Sequence, residues 1–172
     1  MARTRMIYLV CYDDHRNFTD DVKKRFSDTS RYHVVSFHAR QDMVAYFRDE
    51  KEKRSCKVAI IGVPDAREQF GSIDALTQEI KSTDPGTGII LLVPPDKMDD
   101  LKKSIRFNID AYVPRNANSI LRIHNTVKKL FSEYNIIIFR KKRNISLYFL
   151  LTTIILAVIL LIIAWFRFPE YF

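Results

Sequence analysis

From Ile145 to Phe166 the chain carries no charge, no glycine and no proline. At about 1.5 Å per residue this stretch would run roughly 33 Å as a helix, enough to cross the hydrocarbon core of a bilayer. Fifteen of its residues are Leu, Ile, Val or Phe. Each adds about −0.3 to −0.6 kcal/mol near the centre of an inserting helix, so the sum favours the bilayer. A small domain cannot surround a helix that is apolar on every face. The run therefore predicts one transmembrane helix. Arg140, Lys141, Lys142 and Arg143 precede it, and Arg167 follows it close to Glu170. The positive-inside rule then places the preceding residues in the cytoplasm. Tyr148 at one end, and Trp165 and Tyr171 at the other, suit the two interfaces. The expected arrangement is a tail-anchored, single-pass protein of the inner (cytoplasmic) membrane, with residues 167–172 as a short tail on the far side.

Those four cations also bear on the net charge of +8, of which they supply half. Their place beside the span assigns them to anionic lipid headgroups, at roughly 1 kcal/mol per charge near a negative leaflet. No nucleic-acid partner is expected. The span has no GxxxG motif. Ala157 and Ala164 are its very small residues, which gives little to read as a dimer seam. A homodimer stays open as a partner alternative.

The residues before the span suffice for one domain of ordinary size. Cys11 and Cys56 are too few for a disulfide framework, and their spacing to histidine suggests no zinc site. The apolar run after Arg3 and Arg5 is short and ends in Asp13 and Asp14, so it reads as a strand rather than a signal peptide.

Strands and helices alternate through this part. Met6–Cys11, Tyr32–Phe37, Lys57–Val63, Ile89–Val93 and Asp110–Val113 read as five short strands. Between them come Phe18, Val22 and Phe26, with Asn17 or Thr19 as cap. Met43, Val44 and Phe47 follow, then Ile73, Leu76 and Ile80, then Leu101, Ile105 and Phe107. Ile120, Ile123, Val127, Leu130, Phe131 and Tyr134 form a last stripe. The pattern predicts an α/β fold, a doubly wound five-stranded parallel sheet of flavodoxin-like type, plus one C-terminal transmembrane helix. Expected boundaries are a cytoplasmic domain over 1–134, a basic juxtamembrane stalk over 135–144, the span over 145–166 and the tail. From Ala117 to Arg167 there is no proline or glycine, which predicts a nearly continuous helix from about Ser119 to Phe166. A joint at Asn135 or Asn144 is the alternative.

Five βα units in about 135 residues, with Asp13-Asp14 after the first strand and Asp110-Ala-Tyr-Val-Pro-Arg115 around the fifth, resemble the receiver domain of bacterial response regulators (CheY-like). In that family the acidic pair helps bind Mg²⁺, and an aspartate ending strand three accepts a phosphoryl group. A Ser or Thr ends strand four, and a Lys follows strand five. The metal neutralises charge on the transferred group. This chain departs from the pattern. Gly62 stands at the phosphoacceptor position, Val93 at the hydroxyl position, and Arg115 where Lys is usual. Asp13 and Asp14 fill the acidic pair, unless the first strand is read two residues earlier, which would put Cys11 and Tyr12 there. Asp65, past Pro64, is a displaced alternative acceptor. The resemblance implies a degenerate receiver, or pseudo-receiver, that keeps the scaffold and lacks the phosphorylation centre. Asp13 and Asp14 are then either a solvated loop pair or a residual cation site for Mg²⁺.

Nothing else points to an enzyme. There is no GxSxG, P-loop or GxGxxG, and His15, His33, His38 and His124 show no ligand spacing. The expected function is a non-catalytic, membrane-tethered interaction module for an unidentified signalling or assembly partner. The alternative is a phosphorylation- or Mg²⁺-responsive switch using Asp13, Asp14 and Asp65.

Overall fold

The structure is a computed structural model. It describes residues 6–13, 16–49, 55–64, 70–104 and 109–167. Asp14, Asp65, Ile105, Phe107, Pro169, Glu170 and Tyr171 lie outside the described residues.

The elements run β1 (Ile7–Tyr12), α1 (Arg16–Arg25), β2 (Tyr32–Phe37), α2 (Arg40–Asp49), β3 (Cys56–Gly62), α3 (Phe70–Thr83), β4 (Gly88–Val93), α4 (Met98–Ser104), β5 (Ala111–Pro114) and α5 (Ser119–Arg167). A short 3-10 turn, Pro95–Lys97, leads into α4. The sheet order is β2-β1-β3-β4-β5 and every pairing is parallel. This is the doubly wound α/β sheet expected from the sequence.

Burial explains why these segments pair in parallel. Every residue of β3 and β4 is buried, as the continuous apolar runs of central strands require. Alternate residues serve the two faces. Val10, Ala59, Ile61, Ile89, Leu91 and Val93 pack with Met43, Val44 and Phe47 of α2, with Ile73, Leu76 and Ile80 of α3, and with Leu101 of α4. Leu9, Cys11, Val58, Ile60, Ile90 and Leu92 are buried on the opposite face, as are Val22 of α1 and Ile123 and Val127 of α5.

Two units compose the chain, one over Met1–Ser132 and one over Glu133–Phe172. The sheet belongs to the first. In the second, the apolar side chains from Ile145 to Leu160 are exposed. This part of α5 is long and apolar enough to cross a membrane.

Several boundaries differ from the sequence reading: β3 runs Cys56–Gly62 rather than Lys57–Val63, and β4 begins at Gly88 rather than Ile89. β1 ends at Tyr12, one residue later than expected, because Met6–Cys11 and Ile7–Tyr12 are equally apolar. α1 begins at Arg16, so Asn17 and Thr19 lie inside it rather than at its cap. β5 spans Ala111–Pro114 rather than beginning at Asp110. Asp110 instead accepts the Ile89 backbone N–H at 2.7 Å and pairs with Lys81 at 3.1 Å. At the same end of the sheet Lys57, 1 % exposed, pairs with Asp84 at 3.0 Å. That contact ties β3 to the turn between α3 and β4.

Candidate functional site

Strand order reverses around β1, whose neighbours are β2 and β3. In such a sheet the crevice beyond the strand ends at this switch point is where ligands bind. Asp13, the first residue past β1, sits there, next to Gly62 at the end of β3.

Asp13 does not face solvent; it is 4 % exposed. The Nη2 group of Arg115, just past β5, donates to both its carboxylate oxygens, at 3.1 Å to Oδ1 and 3.2 Å to Oδ2. Arg115 is itself held in place, since its backbone N–H donates to the Val93 carbonyl at 2.7 Å. The β4 and β5 ends, which carry Val93 and Arg115, are thereby fastened together. Neighbouring Val63 is fixed in the same way, by its N–H donating to the Leu92 carbonyl at 2.9 Å.

Gly62 completes the arrangement by having no side chain. A Cβ there would lie 2.5 Å from Asp13 Cγ and 2.5 Å from its Oδ1, closer than any real contact. The Asp13 carboxylate fills the volume that a side chain at the end of β3 would enter. Three residues singled out in the sequence, Asp13, Gly62 and Arg115, therefore meet at one place. Val93 lies beside them with its side chain fully buried. Asp14 and Asp65 fall outside the described residues.

Among the described residues, Asp13 alone does not make a site for a divalent cation. A hard cation needs several oxygen ligands, and both oxygens of Asp13 face a guanidinium. Among the described residues no group of three potential ligands forms.

The two cysteines lie apart, with Cys56 opposite Ile7 and Cys11 opposite Ile60 on neighbouring strands. Both are buried. Burial pushes the thiol of Cys11 up to about 12. Cys56 also rises to about 12, chiefly from burial and further from Asp84. Such thiols stay protonated at neutral pH and are poor nucleophiles. Arg140, Lys141, Lys142 and Arg143 lie in the second unit with exposed side chains.

No protein-family model matches the sequence, and no curated protein matches it. Solved structures do match the fold. An adenylate cyclase structure from Rhodopirellula baltica aligns with a TM-score of 0.61 at 10% identity, over 78% of this chain and 94% of that one. A response regulator receiver domain from Clostridium thermocellum gives 0.60 at 13% identity, over 77% and 99%. A CheY-like protein, TadZ, from Pseudomonas aeruginosa gives 0.52 at 10% identity, over 72% and 98%. At these identities the likeness is one of fold: this chain has the receiver fold.

Proposed function

We propose that this chain is a non-catalytic pseudo-receiver held at a membrane by the apolar segment of α5. There it recruits or positions a signalling or assembly protein at the cytoplasmic face of a bacterial inner membrane. The observation that carries this reading is the Asp13–Arg115 pair over Gly62. A receiver that accepts a phosphoryl group needs a carboxylate at the end of β3 and a metal held beside it. Here the first is replaced by glycine, and the space is filled by an ion pair that takes up Asp13. A scaffold without reaction chemistry still offers its faces to other proteins. The anchoring part of the proposal rests on the exposed apolar helix, which water would not tolerate over such a length.

The test is incubation of the full chain, in detergent, with acetyl phosphate and Mg²⁺, followed by intact mass. The expected result is no added phosphoryl group. A stable gain of one phosphoryl group that is lost in Asp65→Asn would instead establish the switch built on Asp13, Asp14 and Asp65.

A further inference from the structure

A second cluster of charge lies in the first unit, on the surface shared by α1, β2 and α5. The last turn of α1 brings Lys23, Lys24 and Arg25. Arg25 Nη2 lies 3.3 Å from His124 Nδ1 on α5. Phe26 packs edge-on against both His124 and Tyr32, with ring centroids 5.4 and 4.9 Å apart. Arg31 stands over the Tyr32 ring at 5.6 Å, and Lys128 follows one helical turn after His124. Arg25 on α1, Arg31 in the turn before β2 and Lys128 on α5 thus gather around His124. A cavity of about 240 Å³ opens beside them, lined by Lys23, Phe26, Ser27, Tyr32 and His33 among others.

We propose that this surface docks onto anionic phospholipid headgroups. Charge complementarity is the main argument. Five cations, Lys23, Lys24, Arg25, Arg31 and Lys128, outnumber the three carboxylates of the same stretch, which are Asp20 and Asp21 one turn earlier on α1 and Asp28. Asp28 is already engaged, accepting the Ser30 hydroxyl at 2.6 Å and its N–H at 3.1 Å. The helix dipole favours cations in the last turn of α1. It does not account for Arg31 or Lys128, which belong to other elements. His124 is held below the ordinary histidine value, first by burial and then by Lys128, Arg25 and Arg31. Those three cations therefore set a positive potential at His124. The cavity is roomy enough for a phosphate, and Lys23 is among the residues that line it. The occupant is a lipid surface because the same chain carries a helix long and apolar enough to cross one. In that respect the proposal rests on the membrane reading above. It adds a second contact with lipid, distinct from the span and from Arg140 to Arg143.

The experiment uses the full chain reconstituted into vesicles of phosphatidylcholine alone, or of phosphatidylcholine mixed with phosphatidylglycerol. A nitroxide is attached at Ser27→Cys, an exposed position beside the cavity; the two native thiols are buried. Relaxation by Ni²⁺ chelated on lipid headgroups reports approach of this surface to the bilayer. Strong relaxation is expected in the phosphatidylglycerol vesicles, and little with phosphatidylcholine alone or in high salt, which screens exposed charge. Lys24→Gln and Lys128→Gln, both at exposed positions, should each weaken the association about fivefold, while the Arg variants of both should retain it. Equal relaxation in both vesicle types, or relaxation untouched by the paired Gln substitutions, overturns the proposal. So does displacement of the label from lipid by a short single-stranded RNA, which would assign the surface to nucleic acid. Flotation of the chain with both vesicles after a carbonate wash reports the membrane reading separately. Failure to float overturns that reading and this proposal with it, whereas flotation without charge dependence overturns this proposal alone.

Discussion

At the scale of single residues, the absence of a side chain at position 62 and the burial of a carboxylate at position 13 are one fact seen from two strands. A methyl group on Gly62 would collide with Asp13, and Asp13 cannot swing away without leaving Arg115. Gly62→Ala is therefore expected to destabilise the fold by about 3 kcal/mol, since it combines overpacking with a broken buried ion pair. Chemical denaturation measures it. Asp13→Ala opens the space, so the alanine at 62 should cost far less in that background, a strong departure from additivity. Additive losses would show that the two positions do not compete for the same volume. Gly88 gives the contrast. A Cβ there would meet Leu130 Cδ1 at 2.8 Å, the flexible end of a side chain that can rotate aside. Gly88→Ala is expected to be the milder change.

His124 supplies a pH dependence at the same scale. Its folded-state value lies below the ordinary 6.5, first because of burial and then because of Lys128, Arg25 and Arg31. Above the unfolded value both states are neutral at this position, and its contribution to stability is fully present. As the pH falls through the unfolded and then the folded value, the unfolded chain binds the proton more readily and stability is lost. Urea midpoints should therefore fall between about pH 7 and pH 5, and His124→Gln should flatten part of that fall. An unchanged slope in the variant would remove His124 from the account.

At the scale of elements, the sheet was legible because parallel strands buried on both faces must be apolar runs. β2 was read at its observed bounds, and Met43, Val44 and Phe47 are the residues that α2 buries. Strand ends were harder. Apolar runs have no internal mark of register, and a two-residue difference at the end of β1 decided whether Asp13 or Cys11 entered the crevice. That a glycine stands at the end of β3 could be read from position alone. The partner of Asp13 could not, because Arg115 lies 102 residues away and only the strand order brings the two together. The grouping of Arg25, Arg31 and His124 was invisible for the same reason. The Asp84-Pro85-Gly86 stretch after α3 has the composition of a turn, but its link to β3 is not visible in the sequence. Asp84 accepts the buried Lys57 ammonium and the Gly86 backbone N–H. Asp84→Ala should cost about 3 kcal/mol by leaving Lys57 without this carboxylate. Lys57→Met in the same chain should restore much of the loss. A thermal melt of the single and double variants would check this, and equal destabilisation in both would deny the ion pair its role.

At the scale of the whole molecule, two kinds of apolar surface are kept apart along the chain. Among the described residues, the buried apolar ones run from Ile7 to Val127 and belong to the first unit. From Ile145 to Ile162 the large apolar side chains recorded as exposed are 48 to 73 % exposed. Packing stabilises the first set, whereas the second gains only from lipid or detergent. Removing the second should therefore change solubility and leave the fold alone. A chain ending at Asn144 is expected to remain in solution without detergent and to unfold in one cooperative transition. Its midpoint should match that of the full chain in detergent to within a few degrees, since no residue of the buried set is deleted. Circular dichroism against temperature, read beside sedimentation of the truncated chain, measures both properties. A truncated chain that loses its cooperative transition would place the removed segment inside the folding unit and overturn its reading as a membrane span.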